Sequence, residues 1–203
     1  MRAAPFAPLI RSNSVSISKN IFLTGFMGCG KTEVGILLAR RLGRVFVDTD
    51  AMVEEKARKR VSDIFSDEGE EHFRRIEHVC VVEAARGSNA VVALGGGAVV
   101  RAENRDAIRG GIIIYLRAKP ETLLERVSGN EERPLLAGLD RRGKLDKIRR
   151  MLQERKPFYR KAHLVVDTDG RSVEEIVDEI REQRPEIRGQ RTEAREQRPP
   201  SDF

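Results

Sequence analysis

The chain has 203 residues, enough for one domain with a core of its own and no need of a disulfide or metal staple. Charged residues make up 34% of it and hydrophobic ones 39%, and no apolar run approaches the roughly 20 residues of a membrane helix, which excludes a helical membrane span. The net charge of +6 lies partly in the tails, through Arg2, Arg11 and Lys19 at one end and an Arg-rich stretch at the other, and two Tyr with no Trp offer little surface for stacking bases, so nucleic acid is not expected as a partner.

In chain order, residues 1–19 lack helical or strand periodicity and read as an unstructured extension. Asn20–Thr24 reads as a short buried strand. Lys31–Leu42 follows as a helix, with Val34, Leu37, Leu38 and Leu42 on one face and Gly43 as its stop. Val45–Val47 is a second strand. Residues 51–87 read as helical, broken near Val61 and Gly69, with Asp67 and Glu70 at capping-box spacing. Ala90–Leu94 is a third strand, a short helix spans about 101–109, and Ile112–Leu116 is a fourth strand, apolar throughout as one covered on both faces should be. Pro120 opens the next helix. Residues 129–143 are polar and contain Gly129, Gly138 and Gly143, which suits a flexible loop. A helix follows from about Lys144 to Arg155, then a fifth strand, Leu164–Val166. Ser172 with Glu175 caps a last helix to about Arg181, and 182–203, rich in Arg, Glu, Gln and Pro, is expected to be disordered. Strands separated by helices predict an α/β fold, a parallel sheet with right-handed crossovers and helices on both faces.

The strongest chemical signal is Gly25-Phe26-Met27-Gly28-Cys29-Gly30-Lys31-Thr32, which fits G-x-x-x-x-G-K-[ST]. Its glycines let the backbone wrap closely so that successive N–H groups face phosphate oxygens, Lys31 reaches the β- and γ-phosphates, and the Thr32 hydroxyl can ligate Mg²⁺. The motif follows a strand and opens a helix, as that mechanism requires. Asp48-Thr49-Asp50 ends the second strand, where open α/β sheets bind ligands. There Asp48 suits a metal held through water and Asp50 an acceptor hydroxyl, with a helix N-cap as the structural alternative. Gly95-Gly96-Gly97 ends the third strand and permits close approach of a ligand, or a tight turn. Arg133-Pro134-Leu135 lies in the polar loop, where an Arg can close on a transferring phosphoryl group. His72, His78 and His163 lack metal-pair spacing and no catalytic role is expected of them. Cys29 is a small residue within the phosphate loop, whose N–H groups can lower its pKa, and Cys80 reads as a buried small hydrophobe. Two cysteines build neither a disulfide framework nor a zinc cluster, and a reducing, cytoplasmic setting is expected.

In order, these motifs resemble those of the shikimate kinase family over about residues 20–181. GFMGCGKT is similar to the family's phosphate loop, DTD at 48–50 to its Asp pair and FRRIE at 73–77 to its shikimate-binding helix. LGGG at 94–97 resembles its glycine turn, RPLL at 133–136 its lid, ERKPFY at 154–159 the helix with its second carboxylate-binding Arg, and Val166-Asp167-Thr168 its last strand end.

The resemblance implies a three-layer αβα fold with a five-stranded parallel sheet in the order 2-3-1-4-5 and a lid at about 129–143. It implies transfer of a phosphoryl group from ATP, with Mg²⁺, to the 3-hydroxyl of shikimate on the way to chorismate, by a protein expected to be monomeric. Carried over, Lys31 and Arg133 stabilise the transferring phosphoryl, and Asp50 holds and orients the shikimate hydroxyls. Thr32 and Asp48 position the metal. Gly28, Cys29, Gly30, Thr32, Glu33, Arg126 and Arg171 join Lys31 and Arg133 around the nucleotide. Arg74, Arg155 and the backbone of Gly95, Gly96 and Gly97 join Asp50 around shikimate. The chain departs from the family in having Cys29 where Ser or Ala is frequent, and its 137–147 segment falls where the family varies in length. Another small P-loop kinase, acting on gluconate or a nucleotide, and a non-catalytic nucleotide-binding regulator are the alternatives. Retention of Asp50, Arg74, Arg133 and Arg155 speaks against the second.

Overall fold

The computed structural model describes residues 19–128 and 134–183. The expected terminal extensions, but for residue 19 and residues 182–183, and the 129–133 part of the expected lid with Arg133 therefore lie outside the described residues.

Five short strands form one parallel sheet: β1 (Ile21–Thr24), β2 (Val45–Asp48), β3 (Ala90–Ala93), β4 (Ile112–Arg117) and β5 (Leu164–Asp167), in the order β2-β3-β1-β4-β5. The order is the expected one. β1 lies at the centre because all four of its side chains are apolar or buried, and it pairs with β3 on one side and β4 on the other. Alternation along each strand divides the core into two layers. Ile21, Leu23, Val91, Ile114, Leu116 and Val166 face α1 (Lys31–Leu42) and, at the C-terminus, α8 (Val173–Gln183). Phe22, Ala90, Val92 and Tyr115 face the opposite layer, which includes Val81 of α4 (Gly69–Arg86) and Ile108 of α5 (Ala102–Ile108). A third, smaller core lies among α2 (Thr49–Ala57), α3 (Val61–Asp67) and α4, built from Val53, Ile64, Phe73 and Cys80. The remaining α-helices among the described residues are α6 (Pro120–Val127) and α7 (Arg141–Tyr159), and Ala98–Val100 and Pro134–Leu136 form short 3₁₀ turns.

Most local signals act as their chemistry directs. Gly43 ends α1 in the left-handed region at φ +65°, with its N–H bonded back to Ala39 and Arg40. Ser172 and Glu175 form a reciprocal capping box before α8, at 2.7 and 3.2 Å. The box expected from Asp67 and Glu70 does not form. The chain turns through Gly69 at φ +83°, Glu68 becomes the N-cap of α4 without a side-chain bond, and Asp67 ends α3 within 3.3 Å of Lys59. Glu70 is instead engaged by Arg74. The helix expected over 144–155 is longer at both ends. Asp140 caps it by accepting from the Gly143 N–H at 2.7 Å, so residues 141–143 of the expected lid form its first turn. Pro157 does not end it, because in the last turn a proline removes one bond while Arg160 N–H still reaches Lys156 O at 3.1 Å.

At the amino ends of the strands, Asn20 ties three elements together. It is buried, its Oδ1 accepts from Ala90 N–H at 2.9 Å, and its Nδ2 donates to the carbonyls of Ala84 and Gly87 at 3.2 and 2.8 Å. Removing it leaves the buried Ala90 N–H unpaired, at a cost of about 1–3 kcal/mol. Asn20→Ala is expected to lower the unfolding free energy by about 1–3 kcal/mol, seen as a lower urea midpoint with an unchanged slope in equilibrium unfolding.

Candidate active site

The carboxyl ends of β1, β2 and β3 bring three loops together. After β1 the chain wraps through Gly25, Gly28 and Gly30, at φ +151°, +80° and +93°, and enters α1. A Cβ at Gly25 would lie 2.5 Å from the Leu116 carbonyl oxygen, and one at Gly28 would lie 2.8 Å from Val127, so neither position accepts another residue without displacement. Gly30 caps α1 without a side-chain bond, leaving the first-turn N–H groups to serve an anion. Lys31 Nζ donates to the carbonyls of Gly25 and Phe26, both at 3.1 Å, which holds the ammonium over the loop. Thr32 Oγ1 donates to Asp48 Oδ2 at 3.0 Å, and Asp48 Oδ1 accepts the Asp50 N–H at 3.0 Å as the cap of α2. Asp48 is thus both the helix cap and the partner of the phosphate-loop hydroxyl, so the two readings of this residue are not exclusive.

Two cavities meet here. One, of about 470 Å³, runs from Gly28–Glu33 to Arg126, Thr168 and Arg171. Arg126 links the phosphate loop to the end of β5, donating to Gly28 O at 3.3 Å and to Thr168 Oγ1 and O at 3.2 and 2.9 Å. Arg171 is held by Glu179 and by the carbonyls of Asp167 and Glu175. The other cavity, of about 330 Å³, is lined by Arg74, Glu77, Arg155, Gly96, Gly97 and the Pro134-Leu135 turn, among others. Met27, Thr32, Asp48 and Asp50 line both.

The second cavity has a buried charged wall. Arg74 Nη1 donates to both oxygens of the fully buried Glu77 at 2.9 and 2.8 Å, while its Nε and Nη2 reach Oε1 of the exposed Glu70 at 3.3 and 3.0 Å. Burial pushes the Glu77 carboxyl up, and the nearby Asp50 charge adds to this, against the opposing pull of Arg74. Arg74 is itself raised, because its two carboxylate partners outweigh the effect of its burial. Arg155, buried on α7, donates to Gly96 O at 2.8 Å and lies 5.4 Å from the centre of the Phe26 ring. Two guanidinium groups therefore flank one cavity, with the Asp50 carboxylate on its border with the other.

The matches to known proteins agree with this geometry. A family model described as "Shikimate kinase" matches residues 27–184. The chain belongs to the shikimate kinase family. It is 53% identical over 168 residues to the shikimate kinase of Symbiobacterium thermophilum, across 81% of this chain and 95% of that one. It is 45% identical to that of Caldanaerobacter subterraneus subsp. tengcongensis, across 80% and 94%. Among solved structures, a shikimate kinase from Acinetobacter baumannii in complex with shikimate superposes with a TM-score of 0.78 at 37% identity, covering 82% of this chain and 92% of that one. One from Bacteroides thetaiotaomicron gives 0.75 at 34%, covering 81% and 97%.

Of the residues singled out in the sequence, the fold gathers Gly28, Cys29, Gly30, Lys31, Thr32, Glu33, Arg126 and Arg171 on the first cavity, and Arg74, Gly96, Gly97 and Arg155 on the second. Gly95 lies behind the second, where a Cβ would meet Glu77 Oε1 at 2.5 Å and Asp50 Oδ1 at 2.7 Å. Arg133 lies outside the described residues. Cys29 does not gain acidity from the phosphate loop: burial pushes its thiol up and outweighs Lys31. His72 sits against Glu68, His78 against Asn104, and His163 Nδ1 accepts from Ile113 N–H, all away from the two cavities. Three participants escaped sequence reasoning. Glu77 was legible only as the i+3 partner of Arg74. Thr49 stood unremarked between two aspartates, and Tyr159 closed a motif valued for its Arg.

The two tyrosines of the chain stack on each other, Tyr115 against Tyr159, with ring centres 4.5 Å apart. Burial pushes Tyr115 up to about 12 and Tyr159 further. Their neutral forms are favoured in the fold, so this contribution to stability is complete below pH 10 and is lost as pH rises through about 12. With no Trp to interfere, ultraviolet titration is expected to show little tyrosinate absorbance up to about pH 11 in the folded protein and, once urea unfolds it, ionisation with a midpoint near pH 10.

Proposed function

We propose that the protein transfers the γ-phosphoryl group of ATP to the 3-hydroxyl of shikimate, giving shikimate 3-phosphate and ADP. The observation that carries this reading is the junction of a phosphate-loop cavity with a second cavity that holds two arginines, the junction being lined by Thr32, Asp48 and Asp50. Phosphoryl transfer asks a protein mainly for positioning and for stabilisation of charge on the transferring group.

The backbone N–H groups of the loop and the first turn of α1 take the phosphates of ATP, and Lys31 follows the charge on the β- and γ-oxygens. Thr32 and Asp48 fit Mg²⁺, since a hydroxyl and a carboxylate oxygen 3.0 Å apart at the phosphate end are the hard oxygen donors this ion takes alongside phosphates and water. Bound there, Mg²⁺ supplies neutralisation of the phosphate charge. Arg126 and Arg171 flank the far end of the nucleotide cavity, where the adenine lies. Glu33, exposed on the first turn of α1, borders the same cavity.

Shikimate presents a carboxylate and hydroxyls. Arg74 and Arg155 take the carboxylate, because a planar guanidinium can bond both oxygens at once. Among the described residues the Nε and Nη2 edge of Arg74 bonds the exposed Glu70, a partner that a ligand carboxylate can replace, while Glu77 keeps Nη1 in place. Asp50 accepts from the hydroxyls and orients the attacking one toward the γ-phosphate, and as a base it can take the proton. Arg133, which precedes Pro134 in sequence, supplies positive charge to the transferring phosphoryl group. ADP release measured with and without shikimate, beside a panel of gluconate and nucleotide acceptors, tests the reading. Shikimate-dependent release supports it, and release driven by another acceptor, or by none, overturns it.

Asp50→Asn keeps size and loses the charge, so turnover is expected to fall by about 10²–10⁴ with the ATP KM nearly unchanged. Arg74→Ala or Arg155→Ala is expected to raise the shikimate KM about 10- to 150-fold, from the loss of charge-assisted bonds, and to leave the ATP KM in place. Steady-state kinetics with each substrate varied in turn checks both.

A further inference from the structure

We propose that two buried hydroxyls, those of Thr49 and Tyr159, clamp the Gly95–Gly97 turn at the two peptide groups flanking the Gly95–Gly96 peptide and set its position in the acceptor cavity. The inference rests on the kinase reading above and adds two positioning residues to it.

The geometry is specific. Thr49 is fully buried; its Oγ1 accepts the Gly95 N–H at 2.9 Å and donates to Ala93 O at 3.3 Å. It thereby fastens the end of β3 to the start of α2, between Asp48 and Asp50. One residue on, the Tyr159 hydroxyl donates to Gly96 O at 2.8 Å from the last turn of α7. The peptide groups before Gly95 and after Gly96 are both held by side chains. The Gly95–Gly96 peptide between them has little freedom left, and Gly96 and Gly97 face the cavity. Glycine cannot hold this shape by itself, since its backbone is the least restricted of all.

Tyr159 also changes what Arg155 can do. Arg155 Nη1 donates to the same Gly96 carbonyl, again at 2.8 Å. A carbonyl oxygen has two lone pairs and takes both donors. When Arg155 turns toward an acceptor carboxylate, Gly96 O keeps the Tyr159 donor and the turn does not move. Without that hydroxyl, Arg155 would be the remaining donor to a carbonyl inside the protein, and binding the acceptor would compete with it. Stacking on Tyr115 fixes the ring, and burial keeps the phenol protonated well above assay pH, so it remains a donor.

The test is kinetic. Tyr159→Phe retains the ring and its stacking and removes one neutral bond, which is expected to raise the shikimate KM about 3- to 10-fold. Thr49→Val retains the shape and leaves the Gly95 N–H and Ala93 O unpaired, which is expected to raise it about 10- to 100-fold, while Thr49→Ser returns it to within about threefold of wild type. The ATP KM is expected to stay within about twofold throughout. A merely structural role would lower the melting temperature or the active fraction and move both KM values together, and Ser would give no selective rescue. Should Thr49→Val fail to fold, Tyr159→Phe and Thr49→Ser still decide the matter. An unchanged shikimate KM in Tyr159→Phe, or a parallel rise in the ATP KM, overturns the clamp while wild-type turnover of shikimate leaves the kinase reading standing. Wild type inactive on shikimate overturns both.

Discussion

The arrangement of the site depends on backbone approaching backbone. β1 and β3 are parallel neighbours in register, Leu23 opposite Ala93, and pairing continues one residue further through Leu94 N–H to Leu23 O at 3.0 Å. The phosphate loop and the glycine turn therefore leave the sheet side by side and stay in contact. A Cβ at Gly96 would lie 3.3 Å from Met27 N and 3.5 Å from Gly25 O. At that separation a side chain on Gly96 would force the phosphate loop to give by a few tenths of an ångström. The phosphate site and the acceptor site are adjacent for this reason, and Met27 borders both.

Around that contact the protein has to keep charge away from water. Burying an ion is costly unless it is paired and further hydrogen-bonded. Glu77, with no exposure, is paired with Arg74 through both of its oxygens. Arg74 in turn lies flat on Gly97, where a Cβ would come within 2.7 Å of its Nη2. Arg155 is covered by Phe26 and anchored to Gly96 O. The same glycines that admit the loops thus make room for the guanidinium groups. Glu77 and Phe26 hold these groups at the cavity wall.

Much of this was legible in the residues. The strand–Gly25…Thr32–helix run announces a phosphate site because its chemistry demands that order of elements. The bounds of α1 followed from Val34, Leu38 and Gly43, and the last helix from Ser172 and Glu175. The misjudged elements are those where one local signal met another. Asp67 pairs with Lys59 eight residues earlier, Glu70 with Arg74 one turn on, and Asp140 rather than apolar periodicity sets the start of α7. Family resemblance, and not residue chemistry, singled out Arg74 and Arg155, because an arginine on a helix is by default a solvated one.

The sequence by itself determined the alternation of strands and helices, the place of the phosphate loop, and the residue types at each strand end, because these depend on periodicity and on spacing along the chain. Only the tertiary structure decided which of those ends meet. The convergence of Thr49 and Tyr159 on one glycine turn joins residues 110 positions apart by number. Such contacts arise from strand order and from burial, which leave a polar side chain no partner except the group that the fold places beside it. No local pattern encodes that choice.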